Sequence, residues 1–284
     1  MTNYRKVLVA FDGSPASKNA LKKAFTLATW IKVLAVVPDY EGDIDLTGVS
    51  QIKEITHGLG QKLLTEAMAI ALEEKTPILT NLDQGEPYER IVHVAENEKC
   101  DLIAIGRKGT KGLERALMGR VTARVIGYTS KDVLVVPEHG SDHLHEMLLA
   151  TDGSPNTARA VSRAIATARQ FKARLTLVSV VYANNEYLAL APEALSKLVQ
   201  KARNELEEIA TKAQAEGIST RVIVRQGDPH VEITALAEEI GAGLIVMGSH
   251  GRKGLTRLLM GSVAEQVIGS ATVPVLVCHN TGQF

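Results

Sequence analysis

Short apolar runs alternate with longer segments of helical periodicity along the whole chain. The run at 6–11 is rich in Val and too short for a helix, so it predicts a buried strand. The tetrapeptide Asp-Gly-Ser-Pro follows at 12–15. Because Ser14 is a favoured N-cap and Pro15 a favoured first helical residue, a helix is predicted over about 15–29.

The same alternation continues through the first half. Further strands are predicted at 32–37, 78–82, 102–105 and 133–136. Between the second and third strands, apolar residues at spacings of three and four predict a helix. Its buried stripe is predicted to contain Ile52, Ile55, Leu59, Leu63, Ala67 and Ile70. Apolar strands that alternate with helices predict right-handed crossovers and a parallel sheet.

The second half of the chain repeats the first. Aligning VLVAFDGSP with LLATDGSP pairs Asp12 with Asp152, and aligning GLERALMGRV with GLTRLLMGSV pairs Gly119 with Gly261. The strands of the second half are predicted at 147–151, 174–181, 220–225, 244–247 and 273–278. The chain is therefore predicted to be a duplication, with domains at 1–138 and 144–284.

Composition narrows the class of protein and its partners. Aromatic residues make up only 4% of the 284 residues, so the cores must be built from aliphatic side chains. Lys and Arg total 32, as do Asp and Glu, and this balance argues against a nucleic-acid partner. No signal-peptide pattern and no apolar run near 20 residues is present, which predicts a cytoplasmic protein without a membrane partner.

The clearest candidate site follows the fourth strand of the second half, in the pattern Gly248-x-x-Gly251-x9-Gly261-Ser262. Glycines let a ligand approach the backbone closely, and a helix that starts at Gly261 would offer free N–H groups to phosphate. Alternatively, the glycines only cap a strand and a helix. Three glycines and a Ser on one strand–loop–helix unit favour a phosphate site. The loop lacks the Walker A pattern of P-loop NTPases.

The stretch GSHGRKGLTRLLMGSVAEQVIGSATVPVLVC, together with LLATDGSP and QGDP, resembles the universal stress protein family in its ATP-binding subclass. The resemblance covers both halves. It implies two tandem α/β domains, each a five-stranded parallel sheet of order 3-2-1-4-5 with helices on both faces. It also implies bound ATP, often with a divalent cation such as Mg or Mn whose ligands are unknown. A pseudo-dimer of the two halves through their fifth strands is implied, and a homodimer of chains is a further expectation.

The resemblance also carries over the site, residue by residue. Asp152 is expected beside the adenine and ribose, and the backbone of Val180 at the adenine edge. The full expected site of the second domain is Ala150, Thr151, Asp152, Val180, Gly248, His250, Gly251, Gly261, Ser262 and Val263. Its counterpart in the first domain is Asp12, Val36, Gly106, Gly109, Gly119 and Arg120.

The first domain departs from the family pattern at Arg120, where a Ser or Thr is expected, and its loop also carries Arg107 and Lys108. Three interpretations are open. Arg120 occupies the phosphate site with its own cation, or it points outward, or it adds a charge-assisted contact to a bound phosphate. A weakened or altered first site is the favoured prediction.

The predicted function is that of an ATP-binding regulator in the stress response. One alternative is a nucleotide-free dimerisation module, which predicts degraded glycine loops. Another is a slow ATP hydrolase, which the sequence leaves open. A third is an enzyme of the wider adenine-nucleotide α-hydrolase-like group, but the Ser-Gly-Gly-rich pyrophosphatase loop and the His-x-Gly-His motif typical of that group are both absent from the sequence. Because Asp12 and Asp152 have no nucleophile or second acid paired with them by motif, no catalytic residue is assigned.

Overall fold

The computed structural model of the chain describes residues 4–39, 49–109, 118–140, 143–182, 192–251 and 260–279. Two compact units divide between Glu138 and His139. Within the first unit, neighbouring residues of one strand show that helices cover both faces of the sheet. Leu82 points at Gly60 on one helix, whereas Asp83 forms a salt bridge with Arg90 on another.

The first domain alternates strands and helices throughout its described residues. The strands are β1 Lys6–Ala10, β2 Trp30–Val37, β3 Leu79–Gln84, β4 Leu102–Gly106 and β5 Asp132–Val136. The helices are α1 Pro15–Leu27, α2 Val49–Glu73, α3 Pro87–Asn97 and α4 Arg120–Tyr128. The strands pair in parallel in the order β3-β2-β1-β4-β5, which confirms the predicted fold class and strand order.

The second domain has the same order of elements. The strands are β6 Glu146–Ala150, β7 Arg174–Val181, β8 Thr220–Gln226, β9 Leu244–Gly248 and β10 Val275–Cys278. The helices are α5 Ala158–Phe171, α6 Pro192–Ala215, α7 Pro229–Glu239 and α8 Ser262–Ser270. Its parallel pairs give the order β8-β7-β6-β9-β10, which is again 3-2-1-4-5 when its strands are counted from its own start.

The burial predicted for α2 was partly wrong. Ile55 and Leu59 are exposed, and the residues that face the sheet are Gly60, Leu64, Ala67 and Ala71. The buried side of α2 differs from the predicted one because the small residues Gly60, Ala67 and Ala71 lie closest to the sheet. A Cβ at Gly60 would lie 3.0 Å from Val37 Cγ1 and would collide with Leu82. None of the helices within the described ranges is both long and apolar enough to cross a membrane.

Each domain buries one cysteine. Cys100 lies just before β4, and Cys278 is the last residue of β10. Burial raises the pKa of the Cys100 thiol to about 11. Both thiols are therefore inaccessible in the folded domains.

A buried hydrogen bond ties the start of the chain to the last strand of the first domain. Tyr4 Oη donates to Asp132 Oδ2 across 3.1 Å, and both side chains are buried. The carboxylate of Asp132 has lost its water, so it depends on donors from the protein.

We expect Tyr4→Phe to destabilise the first domain by about 1–3 kcal/mol, because it removes a donor from a buried carboxylate without changing the ring. Trp30 is the single tryptophan of the chain and lies in this domain, so its fluorescence in a urea titration reports the change. An unfolding midpoint equal to that of the wild type would show that Asp132 does not depend on this bond.

Candidate functional site

At the carboxyl end of the second sheet, the turn after β6 meets the loop after β9. Gly251 lies against the carboxylate of Asp152, since a Cβ at Gly251 would be 2.7 Å from Asp152 Oδ2. Asn156 Nδ2 donates to the Gly251 carbonyl across 3.0 Å. Asp152 and Gly251, which are both predicted site residues, are therefore brought together.

The loop after β9 folds back on itself at glycines. The Gly261 N–H donates to the Ser249 carbonyl across 2.9 Å, and a Cβ at Gly261 would lie 3.3 Å from that oxygen. A Cβ at Gly248 would lie 3.2 Å from the carbonyl of His250. Side chains at Gly248 and Gly261 would fill this cradle, so their absence leaves backbone surface open to a ligand.

The start of α8 is suited to an anion. Gly261 is its N-cap, with φ −69° and ψ 142°, and no side chain caps the first turn. By contrast, side chains cap α1 at Ser14 and α7 at Asp228. The first N–H groups of α8 and its positive dipole end therefore lie next to Ser262, whose side chain is exposed. These donors and the glycine cradle fit a phosphate group.

The residues predicted to line the base lie at the ends of β6 and β7. Ala150 and Thr151 are buried, and the Thr151 N–H donates to the Val178 carbonyl across 3.0 Å. Val180 lies two residues further along β7 and is partly exposed. Val180 therefore lies beyond the last residue of β7 that pairs with β6, and its role at the adenine edge stays a prediction.

The first domain repeats the loop with a more basic lining. Gly109 contacts Asp12, and the Gly119 N–H donates to the Arg107 carbonyl across 2.8 Å. Burial lowers the pKa of the Arg107 guanidinium from its ordinary value. Arg120 is the first residue of α4 and is exposed. All three interpretations of Arg120 stay predictions.

Two further residues shape the site and were not predicted. Asn156 holds the Gly251 carbonyl, and Thr122 Oγ1 donates to the Gly106 carbonyl across 2.9 Å. Each occurs in only one domain, because Ala16 and Ala264 stand at the equivalent positions. Comparing the two halves position by position would have revealed both. Within the described residues, no group of three or more His, Cys, Asp or Glu side chains could hold a metal ion, so the metal ligands stay unassigned.

The same Asp-Gly-Ser-Pro turn is built differently in the two domains. Ser14 Oγ donates to Asp12 Oδ1 across 2.6 Å and accepts from the Ser17 N–H across 3.2 Å. Ser154 Oγ is buried and has no hydrogen-bond partner. The Ser154 N–H still donates to Asp152 Oδ1 across 2.9 Å. The second domain therefore keeps the backbone bond of the turn but not its side-chain cap.

We expect Ser14→Ala to destabilise the first domain by about 1 kcal/mol, because it removes a helix N-cap. Ser154→Ala removes a hydroxyl that makes no bond, so the second domain should keep its stability or gain slightly. Hydrogen exchange at α1 and α5 measures the two domains separately. Equal losses of protection in the two variants would contradict the difference between the turns.

Comparisons with known proteins agree with this architecture. The model of the universal stress protein family matches residues 3–137 and 143–279. Universal stress protein MJ0531 of Methanocaldococcus jannaschii is 34% identical over 144 residues, which are 49% of this chain and 84% of the relative. Universal stress protein MJ0577 of the same organism is 38% identical over 101 residues, 36% of this chain. That match covers 62% of MJ0577, less than two thirds of its length.

One solved structure shares the fold over the full chain. A universal stress protein from Archaeoglobus fulgidus superposes with a TM-score of 0.73 at 24% identity. The superposition covers 100% of this chain and 98% of that protein. The repeated loops, the strand order and the two matches to the family model lead to one conclusion: the chain belongs to the universal stress protein family, with one family domain in each half.

Proposed function

We propose that the second domain binds ATP at the carboxyl end of its sheet, and that the protein is an ATP-dependent regulator in the stress response. The contact of Gly251 with Asp152 carries this proposal, because it joins two predicted parts of the site in one crevice. A nucleotide there would place its phosphates at the start of α8 and its ribose beside Asp152. The Val180 backbone would meet the adenine edge.

The phosphates would be held mainly by the backbone. The first N–H groups of α8 are uncapped by side chains, and the Ser262 hydroxyl lies at the same helix end. Such a site binds phosphate through the fixed dipoles of the backbone N–H groups. This binding does not depend on a reaction at the phosphate. ATP, once bound, would supply the negative charge that joins the turn at Gly248 and Gly251 to the start of α8. Regulation would then follow occupancy of the site, and we assign no catalytic residue.

The first domain would bind nucleotide differently. Its glycines keep their contacts, but Arg107, Lys108 and Arg120 replace Ser249, His250 and Ser262. Arg120 enlarges the side chain at the helix start and adds a positive charge there. We propose that this site is altered in affinity and that the two domains are not equivalent.

Calorimetric titration of ATP into protein freed of nucleotide tests the proposal. We expect one tight site per chain, with the first domain weaker or silent. In the Arg120→Ser variant, the first domain regains the side chain of the second and its affinity should change while the tight site does not. The proposal fails if the wild type shows no binding at millimolar ATP. Two equal sites in the wild type would contradict the proposed difference between domains.

A further inference from the structure

The helices that follow the two Asp-Gly-Ser-Pro turns begin in different ways. In the first domain α1 begins directly at Pro15, and the Ser14 hydroxyl accepts from the Ser17 N–H. In the second domain the chain first makes a short 3₁₀ helix over Pro155–Thr157, and α5 follows it. A 3₁₀ helix is wound more tightly than an α-helix. The difference between the domains therefore lies directly beside Asp152.

The turn of the second domain leaves one buried polar group without a bond. The Ser154 hydroxyl is buried and makes no hydrogen bond. The Thr157 N–H, which matches the N–H that Ser14 caps, donates instead to the Ser154 carbonyl across 3.0 Å. A buried hydroxyl without a partner is unfavourable, because it loses its water and gains no bond in return. Other contacts must therefore favour this form of the turn over the capped one.

Two contacts favour this form, and one of them reaches the phosphate loop. Within the turn, the hydroxyls of Thr151 and Thr157 share a hydrogen bond of 2.8 Å. Beyond the turn, Asn156 Nδ2 donates to the Gly251 carbonyl across 3.0 Å. Ala16 stands at the position of Asn156 in the first domain and has no side-chain donor, so the first domain cannot make this bond. The bond to the loop is thus specific to the second domain.

Asn156 contacts the loop with its backbone as well as with its side chain. A Cβ at Gly248 would lie 3.4 Å from the Asn156 carbonyl oxygen and 3.3 Å from Thr157 Cγ2. Gly251, whose carbonyl accepts from the Asn156 amide, lies against the carboxylate of Asp152. Asn156 therefore joins both glycines of the loop to the turn that contains Asp152.

We propose that Asn156 is a positioning residue for the nucleotide, because it holds Gly251 against Asp152 before the nucleotide binds. This inference rests on the proposed ATP site of the second domain. A bond that fixes a binding loop in advance removes the cost of ordering that loop when the ligand arrives. Ordering the backbone of one residue lowers an affinity by roughly five- to thirtyfold.

Calorimetric titration of ATP into the full chain, freed of nucleotide, tests this inference with Asn156→Ala. This variant copies the residue of the first domain. We expect the dissociation constant of the tight site to rise by about tenfold. Ser162→Ala is the matched control, because it removes an exposed side-chain hydrogen bond to the Ala158 carbonyl in the same helix. The control should bind ATP as the wild type does.

A second ligand separates positioning from a merely structural role. Adenosine has no phosphate, so it does not depend on the start of α8. Its affinity should fall in Asn156→Ala by the same factor as that of ATP, because we assign Asp152 to the ribose. Asn156→Asp keeps the shape of the side chain but removes the donor, and its loss of affinity for uncharged adenosine should match that of Asn156→Ala. Circular dichroism verifies that each variant is folded at the temperature of the titration.

Four outcomes count against the inference. It is overturned if the wild type binds ATP and Asn156→Ala binds it equally tightly, or if Ser162→Ala weakens binding as much as Asn156→Ala. It is also overturned if Asn156→Asp binds adenosine as the wild type does, since shape and not the donor would then matter. A wild type that binds no ATP at millimolar concentration would instead overturn the ATP site itself, and the inference with it.

Discussion

Replacing Gly261 with Asp is expected to abolish ATP binding while the second domain stays folded. The backbone at Gly261 has φ −69° and ψ 142°, which suits an Asp N-cap. The new carboxylate would bond the free N–H groups of α8 that we assign to the phosphates, and its charge would repel them. Two like charges about 4 Å apart near a protein surface repel by about 4 kcal/mol, so affinity should fall by at least about a hundredfold.

Calorimetry gives the affinity, and circular dichroism on heating gives the stability. The matched control is Gly119→Asp, which makes the same change at the start of α4 in the first domain. It should leave the tight site intact. If Gly261→Asp bound ATP as the wild type does, the phosphates would not lie at the start of α8. If Gly119→Asp removed the tight site instead, the two domains would have been assigned in the wrong order.

Replacing Gly60 with Val is expected to destabilise the first domain by about 2–3 kcal/mol, even though Val is a better helix former than Gly. Gly60 faces the sheet from α2, and its position leaves no room for a side chain. Even a Cβ there would collide with Leu82 and reach 3.0 Å from Val37 Cγ1. The two further methyl groups of Val would push α2 away from β2 and β3.

Gly58→Val tests the same substitution two residues earlier. Nothing lies within 4 Å of a Cβ at Gly58, so this variant should be neutral or slightly stabilised. Urea unfolding followed by Trp30 fluorescence compares the two. Equal stabilities of the two variants would show that α2 can move on the sheet at little cost.

The sequence predicts the strands because the duplication shows each local pattern in both halves, whereas the strand order 3-2-1-4-5 was implied by the resemblance to the universal stress protein family. Buried strands such as β4 and β9 are continuous apolar runs, and the glycines that end them recur at the same spacing. Helix starts at Pro15 and Pro87 also follow local chemistry, through an N-cap Ser in one case and Pro at the first position in both. These features depend on residues that are close in sequence, so hydrophobic periodicity and capping rules predict them.

The rest depends on contacts between distant residues. Which side of α2 is buried depends on Gly60, because Leu82 of a distant strand packs directly against it. The sequence alone does not show that these two residues are in contact. The difference between Ser14 and Ser154 cannot be read from two identical tetrapeptides. It arises where the chain continues differently, with Ser17 after the first turn and Thr157 after the second. The Ser17 N–H donates to Ser14 Oγ across 3.2 Å, whereas the Thr157 N–H donates to the Ser154 carbonyl across 3.0 Å and leaves the Ser154 hydroxyl unused.

Each domain contains one buried cysteine, so the rate at which that thiol is alkylated reports the opening of that domain. Only the thiolate reacts with an alkylating reagent, and a thiol with a pKa of about 11 is almost wholly protonated at neutral pH. Cys100 therefore reacts when the first domain opens, and Cys278, which is fully buried, when the second does. Mass spectrometry of the two labelled peptides after brief exposure separates these events. The order in which the thiols are modified is the order in which the two domains open.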